Sequence, residues 1–588
     1  MNLQHFPVES AALGSVATAL AGATRPTERA DLVGAAYAAH VSVDHRRDIG
    51  LYLTPSAVAD FMANQIVGNG ETVRVLDPAA GAGILLCAAV EALVRRPSAP
   101  RHIELVAYEV DRALVGILTA VLNDLRDWTA ERGIHVAVNI IPSDFILEHA
   151  PALRGMGGSL PHLQPGSNFD VVICNPPYFK LNKADPRAQA AAAVVHGQPN
   201  IYGLFMAIGA ALLHEDGELI FITPRSYASG PYFRLFRDRF FDCIRPEMVH
   251  VFGSRRNTFS RDAVLQENVI IKGIRQDGWA CGNTRALMTV SSSVGIGDLA
   301  AADRHSMDVG LVLDITSREK VLRLPVSRAN DDLMRLVDCW PGTLRAYGLQ
   351  ISTGPVVPFR ATEFLEKTGQ VPGSHVPLLW MNHVQRMHVT WPLGRHKPEY
   401  MKHLMAAHPL LVPNRNYVLL RRFSAKEAER RLVAAPYLAQ TSRATILGLE
   451  NHLNYVYRPG GTLTEDETFG LAALFNSSLL DTYFRMSNGN TQVSATELRT
   501  MPLPEHEIIT AIGRQAPAFA HDRDANDELV MDLAARTSSD VKDGRMRKWL
   551  SLVESVTSHG PVSPKRIVEL EAMFAPLPGG SGVCDCLP

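Results

Sequence analysis

Val75-Leu76-Asp77-Pro78-Ala79-Ala80-Gly81-Ala82-Gly83 is the stretch that decides the fold. The β-branched run Thr72–Leu76 stops at Asp77-Pro78, two glycines follow, and an apolar helical pattern runs over Gly83–Val94. Strand, tight turn and helix in that order form one half of a βαβ unit. Glycines at this spacing let the backbone turn sharply and come close to a ligand at the helix N-terminus. The spacing is not Gly-x-Gly-x-x-Gly and no Lys-Ser/Thr follows, so neither a dinucleotide fingerprint nor a P-loop is present. Taken alone, the same letters also fit a purely structural corner.

Outward from this corner the alternation repeats. His102–Tyr108, Val136–Ile141, Phe169–Cys174 and Glu218–Ile222 read as further strands, with a helix over Arg112–Glu131. The class is α/β, a doubly wound and mostly parallel sheet. Ligands on such sheets sit beyond the carboxyl ends of the strands, so the residues just after each strand carry the most information. The second strand ends at Glu109, suited to accept from ribose hydroxyls, and the third is followed by Asp144, suited to accept from an adenine amino group. Each carboxylate can equally be a helix cap. Three acidic strand ends together, Asp77, Glu109 and Asp144, with the Ala79–Gly83 turn, predict a nucleoside pocket.

The fourth strand runs directly into Asn175-Pro176-Pro177-Tyr178. Two prolines fix the backbone and remove two N–H donors. The Asn175 amide oxygen and the Pro176 carbonyl can then accept from one amino group, and Tyr178 offers a flat face to a planar base or amide.

Asp77-Pro78-x-x-Gly81-x-Gly83 followed by Asn175-Pro176-Pro177-Tyr178 resembles the S-adenosylmethionine-dependent amino methyltransferases, specifically the gamma group of DNA adenine-N6 methyltransferases of restriction–modification systems. Gly50-Leu51-Tyr52-Leu53-Thr54-Pro55 looks like that group's N-terminal cofactor motif. Gly217–Pro224, with Phe233-Arg234 and Phe236-Arg237, fits the strand and helix after the catalytic motif. The resemblance covers residues 45–275 and extends weakly into Ala473–Leu479 and Leu498–Pro504.

It implies a Rossmann-like catalytic domain, S-adenosylmethionine as cofactor and no metal. Thr54 would contact the methionine part of the cofactor, with Asp77, Ala79, Gly81, Gly83 and Pro177 lining the same pocket. Glu109 would take the ribose and Asp144 the adenine amino group. Asn175 and Pro176 would hold the N6 amino group of a flipped-out adenine, and Tyr178 would stack on that base, with Phe259 as candidate for its other face. No Pro-Cys dipeptide marks a cysteine nucleophile.

The net charge of −2 over 588 residues hides an asymmetry. Residues 341–460 hold 15 Lys and Arg against 6 Asp and Glu, with seven histidines besides. An acidic module joined to one that faces a polyanion accounts for this, and so does a solvated basic face. With the resemblance, the segment is expected to be a DNA target-recognition domain, with Arg421 and Arg422 among the DNA contacts. Four divisions follow: a helical N-terminal extension over 1–44, a catalytic domain over 45–330, a mixed α+β recognition domain over 331–510, and a helical region with a loose tail over 511–588.

The apolar run around Tyr202–Leu213 is about half a membrane span. Ala11–Ala23 is preceded by Glu9 and has no Lys or Arg before Arg25, which makes it an ordinary helix rather than a signal peptide. Seven scattered cysteines build no disulfide framework. A cytoplasmic chain with double-stranded DNA as partner is therefore expected. Asp540-Val541-Lys542 lies in a polar helical stretch unlike a nuclease strand, so the restriction endonuclease is expected to be a separate protein. Release-factor glutamine methyltransferases also carry Asn-Pro-Pro-Tyr, so a protein or RNA amino group stays open as substrate. A modification subunit that needs a specificity partner stays open as well.

Overall fold

The computed structural model describes residues 22–42, 46, 50, 53–68, 70–155, 168–253, 267–279, 286–368, 374–425, 428–488 and 492–534. The strand–helix alternation folds into one nine-stranded sheet. Its strands are β1 (Thr72–Asp77), β2 (His102–Tyr108), β3 (His135–Ile141), β4 (Phe169–Cys174), β5 (Leu213–Pro224), β6 (Ile244–Phe252), β7 (Asn268–Arg275), β8 (Leu287–Ser293) and β9 (Asp303–Asp308). Their order is β3-β2-β1-β4-β5-β7-β6-β8-β9. β1 to β5 pair in parallel, and β7 runs antiparallel between β5 and β6. The strand order reverses between β1 and β4, and such a switch point is where open α/β sheets bind ligands.

The inner strands are covered on both faces, which is why they read as near-continuous apolar runs: Val75, Leu76, Val171, Val172 and Ile173 are fully buried. One face is covered by the helix Ile84–Val94, ten of whose eleven residues are buried, and beyond it by Pro26–His40 and Ser56–Ala63. The helix Arg112–Ala130 buries Leu114, Ile117, Leu118, Val121, Leu122 and Leu125 at helical spacing, and Asp111 caps it by accepting from Ala113 N. On the other face lies Ile201–Leu212, buried along its whole length. Gly83 starts the Ile84 helix at φ +85°, and a Cβ there would stand 2.8 Å from Leu118 Cδ1, so both the turn and the packing require glycine.

After β9 the pattern changes. Gln350–Thr353, Leu453–Tyr457, Tyr417–Arg421 and Ala434–Tyr437 form a four-stranded sheet, in that order. A five-stranded sheet is built from Leu365–Glu366, Tyr400–Lys402, His375–Leu379, Ile446–Leu449 and Leu411–Pro413. Helices then occupy most of Glu465–Ala534, so the helical part starts at Glu465, ahead of residue 511. Its start has a chemical cause: Thr464 and Glu467 form a reciprocal capping box.

These helices are tied to the segments that follow β5 and β9. Arg225 Nη2 donates to Arg485 O at 2.9 Å, Leu324 N to Met486 O at 2.9 Å, and Tyr483 OH to Asp338 Oδ1 at 2.6 Å. One apolar core runs unbroken from Leu76 to Ala534. Among the described residues no helix is long and apolar enough to cross a membrane. Residues 11–21 of the Ala-rich start and the Asp540-Val541-Lys542 triplet lie outside the described residues.

Candidate active site

A cleft of about 270 Å³ opens at the carboxyl ends of β1, β2 and β4. Thr54, Asp77, Ala79, Gly81, Glu109, Asp144, Asn175 and Pro177 all line it. Gly83 closes the turn beneath, its N–H donating to Ala80 O at 2.8 Å. Pro176 and Tyr178 are buried behind the wall.

Asp77 is 1% exposed. Its Oδ1 accepts from Ala79 N at 3.1 Å, while Oδ2 is buried without a hydrogen-bond partner. Burial pushes this carboxyl up to about 7; the Glu109 charge adds to the rise, and the Ala79 N–H and the Cys174 thiol oppose it. Glu109 ties the end of β2 to the glycine turn: Oε2 accepts from Gly81 N at 2.9 Å and Oε1 from Asp111 N at 2.8 Å. Burial raises its carboxyl too. A carboxylate has about four acceptor sites, so both oxygens keep capacity for a ligand.

Asp144 does cap a helix, as its position allowed. Its Oδ1 accepts from Ile146 N and Leu147 N at 2.9 and 3.0 Å. That uses one oxygen; Oδ2 lies 4.0 Å from Arg187 Nη1 on the rim of the cleft.

The Asn175 amide is held at both ends. Nδ2 donates to Thr54 Oγ1 at 3.0 Å, and Oδ1 accepts from Tyr178 OH at 2.6 Å. The same hydroxyl stands 3.0 Å from Ile222 O. Thr54 thus fixes which way the amide faces, and its own place follows from the turn into the Ser56–Ala63 helix. Tyr178 is 7% exposed, with its ring edge-on to Tyr202. In this conformation no broad face of it lies open to the cleft.

Reading the strand ends missed several lining groups. Phe179 is half-buried on the cleft, with the Arg187 guanidinium over its ring at 5.7 Å. Tyr108, Phe145 and Phe205 make an aromatic wall, the last two stacked at 5.5 Å. Tyr108 and Phe179 flank motifs already singled out. Arg187 and Phe205 arrive only through tertiary packing.

Arg421 and Arg422 do not line the cleft. They leave the four-stranded sheet, where Arg421 Nε donates to Val384 O at 2.7 Å and Arg422 Nη1 to Asn451 O at 2.9 Å. Phe259 lies outside the described residues.

Comparisons with known proteins converge on one family. Residues 146–259 match the model of the Eco57I restriction-modification methylase. The chain is 31% identical over 489 residues to the type II methyltransferase M.PstI of Providencia stuartii, spanning 82% of this chain and 92% of that one. It is 30% identical over 475 residues to M.BsuBI of Bacillus subtilis, a type II methyltransferase likewise, spanning 80% and 90%. Among solved structures the DrdV–DNA complex shares 13% identity at a TM-score of 0.43, over 84% of this chain and 60% of that one, too distant to carry an argument. Identity of this extent, spread over catalytic and C-terminal parts alike, shows that the chain belongs to the type II restriction–modification methyltransferases, S-adenosylmethionine-dependent enzymes that act on DNA.

Proposed function

We propose that the protein methylates the N6 amino group of one adenine within a specific duplex DNA sequence, protecting that site from a separate companion restriction endonuclease. The observation that carries this reading is the Asn175 amide, locked by Thr54 at the lip of the cleft and followed by the Pro176 carbonyl. An exocyclic amino group has its lone pair delocalised into the ring. Two acceptors on its hydrogens localise that pair and aim it, which is catalysis by positioning and electrostatics. A paired base cannot present N6 this way, so the adenine must rotate out of the helix. Tyr178 stacks on the extruded base once its ring turns out of its edge-on packing against Tyr202, with Phe259 as candidate for the opposite face. Because its hydroxyl sits on Asn175 Oδ1 here, base entry requires Tyr178 to yield that acceptor.

The residues present fit S-adenosylmethionine, which supplies the electrophilic methyl group when bound. The cofactor is cationic, and three carboxylates border the cleft. Asp77 Oδ2 is a buried acceptor without an N–H or O–H donor, and an ammonium is the donor it lacks. In this reading Asp77 holds the methionine ammonium, Glu109 the ribose hydroxyls and Asp144 the adenine amino group. Thr54, Ala79, Gly81, Gly83 and Pro177 shape the remainder. Residues 45–330 form the catalytic unit and 331–510 the recognition unit, flanked by 1–44 and 511–588.

A pH dependence follows from Asp77. Its carboxyl titrates at about 7 and must be ionised to hold an ammonium. Below that pH it is neutral, so cofactor affinity should rise as pH increases from about 6 to 7.5, by up to about tenfold per unit. Isothermal titration in buffers of differing ionisation heat should also show proton release on binding at neutral pH. Asp77→Asn should bind weakly with a flat profile; an unchanged slope in that variant refutes the assignment.

The function is tested by incubating the protein with methyl-labelled S-adenosylmethionine and duplex DNA of varied sequence, then mapping modified bases by sequencing. N6-methyladenine at one recurring sequence is expected. Label on protein or RNA alone, on another base, or on DNA only when a second subunit is added overturns the reading.

A further inference from the structure

The excess of positive charge between residues 341 and 460 is not all available to a partner. Arg415, Arg421 and Arg422 donate to backbone carbonyls, while Arg430, Arg458 and Lys402 pair with Asp527, Glu467 and Glu366. The three ion-paired cations are partly neutralised, and the three carbonyl-bound arginines keep their charge with part of their donor capacity used by the fold. One run differs. Gly394-Arg395-His396-Lys397 is exposed at all four positions, and among the described residues neither Arg395 nor Lys397 meets a carboxylate.

This run is also anchored from beneath, unlike an ordinary solvated loop. Glu399, buried, accepts from Leu393 N and Gly394 N at 2.9 Å each, and from His383 Nε2 at 2.8 Å. His383 is fully buried, and its Nδ1 accepts from Trp380 N at 2.9 Å, which leaves the proton on Nε2 to face Glu399. Trp380 Nε1 donates to Pro398 O at 2.5 Å and Trp391 Nε1 to Glu399 O at 3.1 Å. Lys397 Nζ stands 4.5 Å from the Trp380 ring centroid. A buried carboxylate, a buried histidine and two indoles therefore fix both ends of a short loop whose tip is cationic. Ordering a loop costs entropy, and here that cost is met within the free protein, so a partner binds a loop already shaped.

We propose that Gly394–Lys397 grips the sugar–phosphate backbone of duplex DNA, with Arg395 and Lys397 each neutralising a phosphate. This rests on the DNA reading above and assigns where the polyanion is held. Arg and Lys on a preset loop suit phosphate contacts, which position a protein without specifying sequence, and equal weakening on both duplexes distinguishes this from guanine reading by the same side chains.

The test measures binding of the full chain to a duplex containing its methylation site and to one lacking it, over a series of salt concentrations. Each phosphate neutralised contributes about 0.9 to the slope of log affinity against log salt. Arg395→Ala with Lys397→Ala should lower that slope by about 2 on both duplexes. Between about 50 and 200 mM salt the double variant should then lose about tenfold less affinity than the unaltered protein. Binding of S-adenosylmethionine should stay unchanged, showing an intact fold. A double variant with the parent slope overturns the loop assignment while leaving DNA binding intact, as does weakening confined to the methylation-site duplex. If the unaltered protein shows no salt-dependent duplex binding, the DNA reading falls, and this inference with it.

Discussion

Asn175→Ala is expected to lower kcat by at least about 10²- to 10³-fold, the scale on which removal of one preorganised polar group at a reacting centre acts. Cofactor affinity should stay within about twofold. The asymmetry follows from the geometry. Asn175 stands at the lip of the cleft, held by Thr54 Oγ1 on its nitrogen side, whereas the carboxylates assigned to the cofactor belong to β1, β2 and the turn after β3. Losing the amide removes one of two acceptors for the amino group and lets the nucleophile rotate away from the line of attack. Asn175→Asp is the sharper control, since it keeps an acceptor oxygen and loses the donor to Thr54. It should recover only part of the activity, because the oxygen remains but the Thr54 contact that orients it is altered. Tyr178→Phe removes the hydroxyl that sits 2.6 Å from Asn175 Oδ1 but keeps the ring, so it should retain activity to within about tenfold while Tyr178→Ala loses far more. Single-turnover rates with equilibrium cofactor titration separate these outcomes. Asn175→Ala with parental kcat removes the centre of the proposed mechanism.

The parts of this molecule legible in the sequence share a physical cause. β1, β4 and the second half of β5 are covered on both faces, so burial writes them as dense apolar runs, while β2 alternates buried and exposed positions; the carboxyl ends of these strands mark where a ligand can sit. Asp77, Glu109, Asp144 and Asn175 were found by that logic and do meet at one cleft. β8 and β9 were not legible: Leu287–Ser293 and Asp303–Asp308 form the outer strands of the sheet and are polar along much of their length. The Thr464–Glu467 capping box starts a run of helices over Glu465–Ala534 whose extent the apolar pattern alone did not reveal. Charge shows a further limit. The sum over residues 341–460 is a property of the letters, but whether Arg421 meets solvent or the Val384 carbonyl depends on packing. The same limit hid Arg187 and Phe205, brought to the cleft by helices that any apolar pattern would equally have predicted.

Glu109→Ala is expected to weaken S-adenosylmethionine binding by about a hundredfold or more while leaving kcat at saturating cofactor near the parental value. Hydrogen bonds to a charged acceptor contribute about 1.5–3 kcal/mol each, and two ribose hydroxyls on one carboxylate reach about 3 kcal/mol at the low end, or about two decades in Kd. Glu109 has a second task, since its oxygens also accept from Gly81 N and Asp111 N. Removing it leaves two N–H groups without their acceptor and loosens the glycine turn that the cofactor must approach. Glu109→Gln divides these contributions. The amide oxygen can keep one backbone N–H and one hydroxyl, but the amide nitrogen then faces the other N–H, donor against donor. An intermediate loss, about tenfold, is therefore expected rather than a silent substitution. Neither change touches the group that holds the target amino nitrogen, so duplex affinity without cofactor should not move. A Glu109→Ala protein with parental cofactor affinity shows that the ribose lies elsewhere. A fall in kcat with unchanged Kd instead ties the β2 end to the chemical step, and the division of labour between β2 and β4 then has to be redrawn.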